Sequence, residues 1–127
     1  MEGAIMNQED QIQYLANIYF LAGADDNFTV IEDVALIKIA ESIGGGYLET
    51  RKALDMSMEA GFKIKLPKLE EDRLRNLEDI MLVAFVDNKL VETERDIIMS
   101  FAKKLGVSSK ELIEIKNKAV EKSKEIK

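Results

Sequence analysis

The strongest constraint on this chain is a match of the sequence to itself. At an offset of 62 residues and without a gap, Leu15, Ile18, Ala22, Asp25, Glu32, Ala40 and Gly44 align with Leu77, Ile80, Ala84, Asp87, Glu94, Ala102 and Gly106. Those are seven identities in thirty positions, and the apolar positions between them mostly match in kind. A repeat of this length means one supersecondary unit used twice. Each unit alone leaves its apolar stripe exposed, so the expectation is a pseudo-symmetric domain in which the two bury each other. A solenoid needs three or more copies and is not favoured.

The period inside each copy is helical. Leu15, Ile18, Tyr19 and Ala22 step by three and four, which puts them on one helix face. Val34, Ile37 and Glu41 step likewise, with Leu36, Ile39, Ala40 and Ile43 broadening the stripe. The same spacing returns in Leu77, Ile80, Met81, Ala84 and Phe85, then in Ile97, Ile98, Phe101, Ala102 and Leu105, and finally in Leu112, Ile115, Ala119 and Val120. Thr29 with Glu32 and Ser108 with Glu111 have capping-box spacing. Gly44 and Gly106 suit left-handed helix ends. Six helices are predicted, over 7–23, 29–43, 47–60, 69–86, 92–105 and 109–125, with 61–67 as a short linker containing the one proline. The expectation is a single all-α domain over 1–127, a compact bundle of about six helices, with repeat one near 12–46 and repeat two near 74–108.

Composition narrows the chemistry. The 127 residues include no cysteine and no histidine, which removes disulfides, thiolate chemistry, the usual general base and the usual zinc ligand. No apolar run approaches the ~20 residues of a membrane span, and Met1–Met6 lacks the form of a secretory signal, so a cytoplasmic location is expected. Residues 1–63 hold 11 acids and 4 bases, whereas 64–127 hold 13 acids and 14 bases. An acidic first half argues against nucleic acid as a partner and fits a cation or a basic protein surface.

The turn between the first two helices reads Ala22-Gly23-Ala24-Asp25-Asp26-Asn27-Phe28-Thr29-Val30-Ile31-Glu32, and its counterpart reads Ala84-Phe85-Val86-Asp87-Asn88-Lys89-Leu90-Val91-Glu92-Thr93-Glu94. A helix ending in alanine, then Ala-x-x-Asp, a short turn and a glutamate opening the next helix resembles the TerB-like family, over roughly residues 12–117. That family takes its name from tellurite resistance protein TerB. The glycine usual after the family's aspartate is replaced here by Asp26 and Asn88. The resemblance implies a non-catalytic protein-interaction module in a bacterial stress or tellurite/metal-resistance response, at a membrane-associated complex, and the acidic charge adds a basic protein surface as the expected partner. The surface favoured for that role is the pair of acidic turns with the second helix around Asp33 and Glu41.

The alternative is a divalent-cation sensor or buffer. Hard cations such as calcium or magnesium take carboxylate oxygens, and Asp25, Asp26 and Glu32 with Asp87 and Glu94 are the candidate ligands. The spacing is not that of an EF-hand loop. The structural reading of the same acids is simpler: the aspartates bond turn backbone and the glutamates close capping boxes. A third reading, hydrolysis by paired carboxylates and a metal, has no cleft motif behind it, and Gly44–Gly46 lacks the flanks of a phosphate loop. Met56, Met58 and Phe62 are read as core or groove filling, and the lysines of 116–127 as helix-end charge.

The cation reading predicts that one of calcium, magnesium, manganese or zinc at millimolar level raises the melting temperature of metal-stripped protein. Asp25→Asn/Asp87→Asn protein should lose that rise, because a ligand bound only by the folded state must stabilise it. No shift with any ion would leave the acids as caps.

Overall fold

The structure, a computed structural model, describes residues 6–22, 29–86 and 92–126, and within 92–97 the side chains of 95 and 96 only. Six helices and no strand occur among the described residues: α1 (Gln8–Ala22), α2 (Val30–Ser42), α3 (Tyr47–Ser57), α4 (Glu70–Phe85), α5 (Glu92–Lys104) and α6 (Ser109–Ile126). The starts of α4, α5 and α6 at 70, 92 and 109 each lie 62 residues after those of α1, α2 and α3 at 8, 30 and 47.

The helices begin and end where local chemistry dictates. Thr29 accepts from the Glu32 N–H, and the Glu32 carboxylate accepts from the Thr29 N–H at 2.8 Å, a closed capping box. Ser108 and Glu111 make the same reciprocal pair at the start of α6. The end of α2 is closed by the Gly45 N–H on the Ala40 carbonyl, with Gly44 at φ 92. The end of α5 is closed by the Val107 N–H on the Ala102 carbonyl, with Gly106 at φ 74. Only glycine takes that left-handed backbone without strain. α3 stops at Ser57, three residues before the sequence reading, because Met58 and Glu59 turn the chain into the linker.

The core is one cluster, and α1 and α4 are its centre. Tyr14, Leu15, Ile18 and Leu21 of α1 and Leu77, Ile80 and Val83 of α4 are almost wholly buried. α1 packs chiefly on α3 and α4, and α4 chiefly on α6. α2 packs on α3 and α4, and α5 on α4 and α1. Burying a leucine or isoleucine side chain stabilises the fold by about 1.5–3 kcal/mol, so this central pair holds the domain together.

Two sequence expectations change here. Val34, Ile37 and Glu41 do not form the inward stripe of α2. Glu32, Ala35, Leu36, Ile39 and Ala40 are buried, while Val34, Ile37 and Glu41 face outward. Spacing alone cannot say which of two apolar faces turns inward when a helix has both. Met58 is 75% exposed, so it fills neither core nor groove. Phe62 does pack, half-buried, against the Phe20 ring at 5.0 Å.

Nothing lies within 4 Å of a side-chain carbon added at Gly106 or at Gly61, so backbone conformation alone separates the two. Gly106→Ala should cost about 1–2 kcal/mol in chemical denaturation. Gly61→Ala, with no positive φ to violate, should be neutral or stabilising by up to about 1 kcal/mol.

Candidate functional site

Of the acids singled out as ligands, Asp25, Asp26 and Asp87 lie outside the described residues, as does the side chain of Glu94, whose backbone is in α5. Glu32 is placed. It is buried, and its Oε1 accepts from both the Thr29 N–H and the Thr29 hydroxyl. That is the structural role the capping box implies. Among the described residues no three carboxylates gather as a metal site would require.

The second helix is better defined. Asp33 and Glu41, favoured as an interaction surface, are both exposed on α2. On the same outward side lie Val30, Val34 and Ile37, exposed by 81%, 39% and 37%. Steps of four and three make these one stripe, directly opposite the buried face. The Tyr19 hydroxyl of α1 is pushed up to about 12 by burial and then by the Asp33 charge, with Arg51 opposing. On α3, which packs against α2, the Arg51 guanidinium lies 5.9 Å above the Tyr47 ring.

A second feature went unread in the sequence. The interface between α1 and α4 contains a buried polar chain. The Tyr14 hydroxyl donates to Asp79 Oδ2 at 2.5 Å, and both residues are almost fully enclosed. Three residues along α1, Asn17 donates to Asn76 Oδ1 at 3.1 Å and to the Lys65 carbonyl at 2.9 Å. Asn76 donates in turn to the Tyr14 carbonyl. Gln13 donates to Asn17 and to the Lys63 carbonyl, so the linker is tied to α1 at two carbonyls. No buried side-chain nitrogen or oxygen among the described residues lacks a partner. The available signal was positional: Asn17 and Asp79 share one place in the 62-residue register, Tyr14 and Asn76 another, and all four fall within apolar stripes.

Burial, opposed by the Tyr14 hydrogen bond and by Arg75, raises Asp79 from its ordinary value of 3.8 to about 6. Burial first and the Asp79 charge second hold Tyr14 far above the usual phenol range. An open groove of about 560 Å³ runs beside this chain, between the start of α1, the linker and the start of α4. Leu66 and Leu69 line it, with Asp10 and Asp72 at equivalent positions of the two helices and Lys68 within 3.9 Å of Asp10.

The raised value of Asp79 sets a pH dependence. The folded state holds this proton more tightly than the unfolded one, so its contribution is full below about pH 4 and lost as pH rises through about 6. The difference is on the order of 2–3 kcal/mol. Asp79→Asn keeps an acceptor for Tyr14 and should flatten that slope, leaving protein at least as stable as the parent at neutral pH. Tyr14→Phe removes the bond to a buried carboxylate and should cost about 1–3 kcal/mol at neutral pH. Its cost should fall at pH 4, where the carboxyl is neutral. Urea denaturation across that range checks both.

Compared with known proteins, the chain matches no family model, no curated protein and no solved structure.

Proposed function

We propose that this chain is a non-catalytic protein-interaction domain of TerB-like type, built from two copies of one three-helix unit, with the outward face of α2 as its docking surface. One observation carries the docking reading. α2 is apolar on two opposite faces, and only one of them is covered by the core. A helix apolar all round belongs inside something. The corresponding helix of the second copy makes the contrast: the positions equivalent to Val34, Ile37 and Glu41 are Asp96, Met99 and Lys103, a mostly charged outward face. A helix in this place has no need of outward valine and isoleucine for folding.

The two-copy reading is supported by the equal spacing of the helix starts and by the polar chain. Under the 62-residue offset, Tyr14 bonded to Asp79 becomes Asn76 bonded to Asn17, so the two hydrogen bonds exchange with one another. Glu41 at the end of the stripe and Asp33 beside it favour a partner that sets basic residues next to an apolar patch. The bacterial stress or metal-resistance setting comes from the TerB-like resemblance alone.

A labelled amphipathic leucine–lysine helical peptide serves as a defined probe. It should bind, and more weakly as salt rises. Ile37→Asp should weaken binding about ten-fold or more, the worth of one buried aliphatic side chain. Ile113→Asp, at a still more exposed isoleucine on α6, should leave binding unchanged. No binding, or equal loss from both variants, removes the docking face.

A further inference from the structure

α2 has no basic residue in its last turn, although its C-terminal carbonyls carry the negative end of the helix dipole. The missing cation comes from α4. Arg75 Nη2 donates to Ser42 Oγ at 2.8 Å and to the Ser42 carbonyl at 3.4 Å. The Ser42 hydroxyl itself donates to the Ile39 carbonyl, within the same last turn. Arg75 Nε lies 4.0 Å from Asp79 Oδ2, one helical turn further along α4, and that same oxygen accepts the Tyr14 hydroxyl. A chain of contacts thus runs from α1 through Asp79 and Arg75 to the end of α2.

Titratable groups face Asp79 and Arg75 from three elements. α1 presents Tyr14. α4 presents Asp72 near Tyr14, and Glu78, which pairs with Lys122 of α6. α6 brings Glu111, Glu114 and Lys118 to the depression that Arg75 and Glu78 also line. At Ser42 α2 contributes a hydroxyl and a carbonyl, neither of them charged. Arg75 thus has Asp79 one turn along its own helix at 4.0 Å, and it lines with Glu111 and Glu114 the depression against α6.

We propose that the protonation state of Asp79 sets the place of Arg75, so that a charged Asp79 keeps Arg75 on the C-terminal end of α2 and a neutral Asp79 releases it toward the acids of α6. A neutral carboxyl no longer attracts a guanidinium but still bonds the tyrosine, so the α1–α4 interface survives the change. The chain has no histidine, the side chain that ordinarily titrates near neutrality. Burial brings Asp79 into that range, to about 6. The inference stands apart from the docking reading, since it concerns how α2 is held and not what covers it.

The device has an unusual signature. Acidification relieves the burial of a charge, so the domain as a whole becomes more stable. Yet the last turn of α2 loses its external cation, so that turn becomes looser. Amide hydrogen exchange of Ile43, Gly44 and Gly45, whose N–H groups close α2, reads the second effect. Carbon-detected titration of the Asp79 carboxyl reads the proton itself. After correction for intrinsic exchange, protection at these amides should fall about two- to five-fold between about pH 7.5 and about pH 5. Asp79→Asn and Arg75→Gln should each show the lower protection at both pH values. The proposal is overturned if Asp79 titrates in the ordinary carboxylate range. It is equally overturned if protection in the parent is the same at both values, or if Arg75→Gln keeps the pH dependence. Arg75 is partly exposed, so Arg75→Gln tests the contact without touching the buried Tyr14–Asp79 bond.

Discussion

Everything else in this fold rests on the contact between α1 and α4. It is the place where two helices far apart in sequence meet through both large apolar side chains and polar ones. Leu15, Ile18, Leu77 and Ile80 supply the hydrophobic share, and Tyr14, Asn17, Asn76 and Asp79 supply the rest. Burying polar groups is costly unless each is partnered, and here each is. The hydrogen bonds contribute modestly to net stability, but a slipped register would leave amides and a carboxylate orphaned in the core. The polar chain therefore fixes which residue of α1 meets which residue of α4. The outer helices α2, α3, α5 and α6 then take their places around a pair whose geometry is already decided.

Much of the architecture was legible in the sequence because its signals are local. Capping boxes at Thr29 and Ser108, helix-ending glycines at 44 and 106, and apolar steps of three and four each depend on residues within one or two turns. The inward face of α2 was not legible. Its composition is apolar on two sides, and the choice between Leu36 with Ile39 and Val34 with Ile37 is made by α3 and α4, which spacing cannot see. Asp79 was missed for a similar reason. Its place in the apolar stripe of α4 shows which face it lies on, but the tyrosine that bonds it comes from another helix.

The candidate site divides the same way. Glu32 was legible as a cap from its distance to Thr29, and the structure places its carboxylate on that threonine. The exposed acids Asp33 and Glu41 were also legible, but the apolar stripe beside them reads as a docking surface only once the opposite face is known to be buried. Folding thus uses one side of α2 and leaves a second, chemically similar side to water.

The linker ties described above have a consequence for how the chain comes into being on the ribosome. Asn17 emerges early, with neither of its acceptors yet made, and the first helices cannot close over it without trapping an unbonded amide. The Lys65 carbonyl is synthesised next and Asn76 soon after, so acceptors arrive in order of emergence. Tyr14 waits longest, for Asp79. A core closed by the first half alone would therefore hold an unbonded Asn17 amide and a Tyr14 hydroxyl without its carboxylate, at the cost that burying unpartnered polar groups carries.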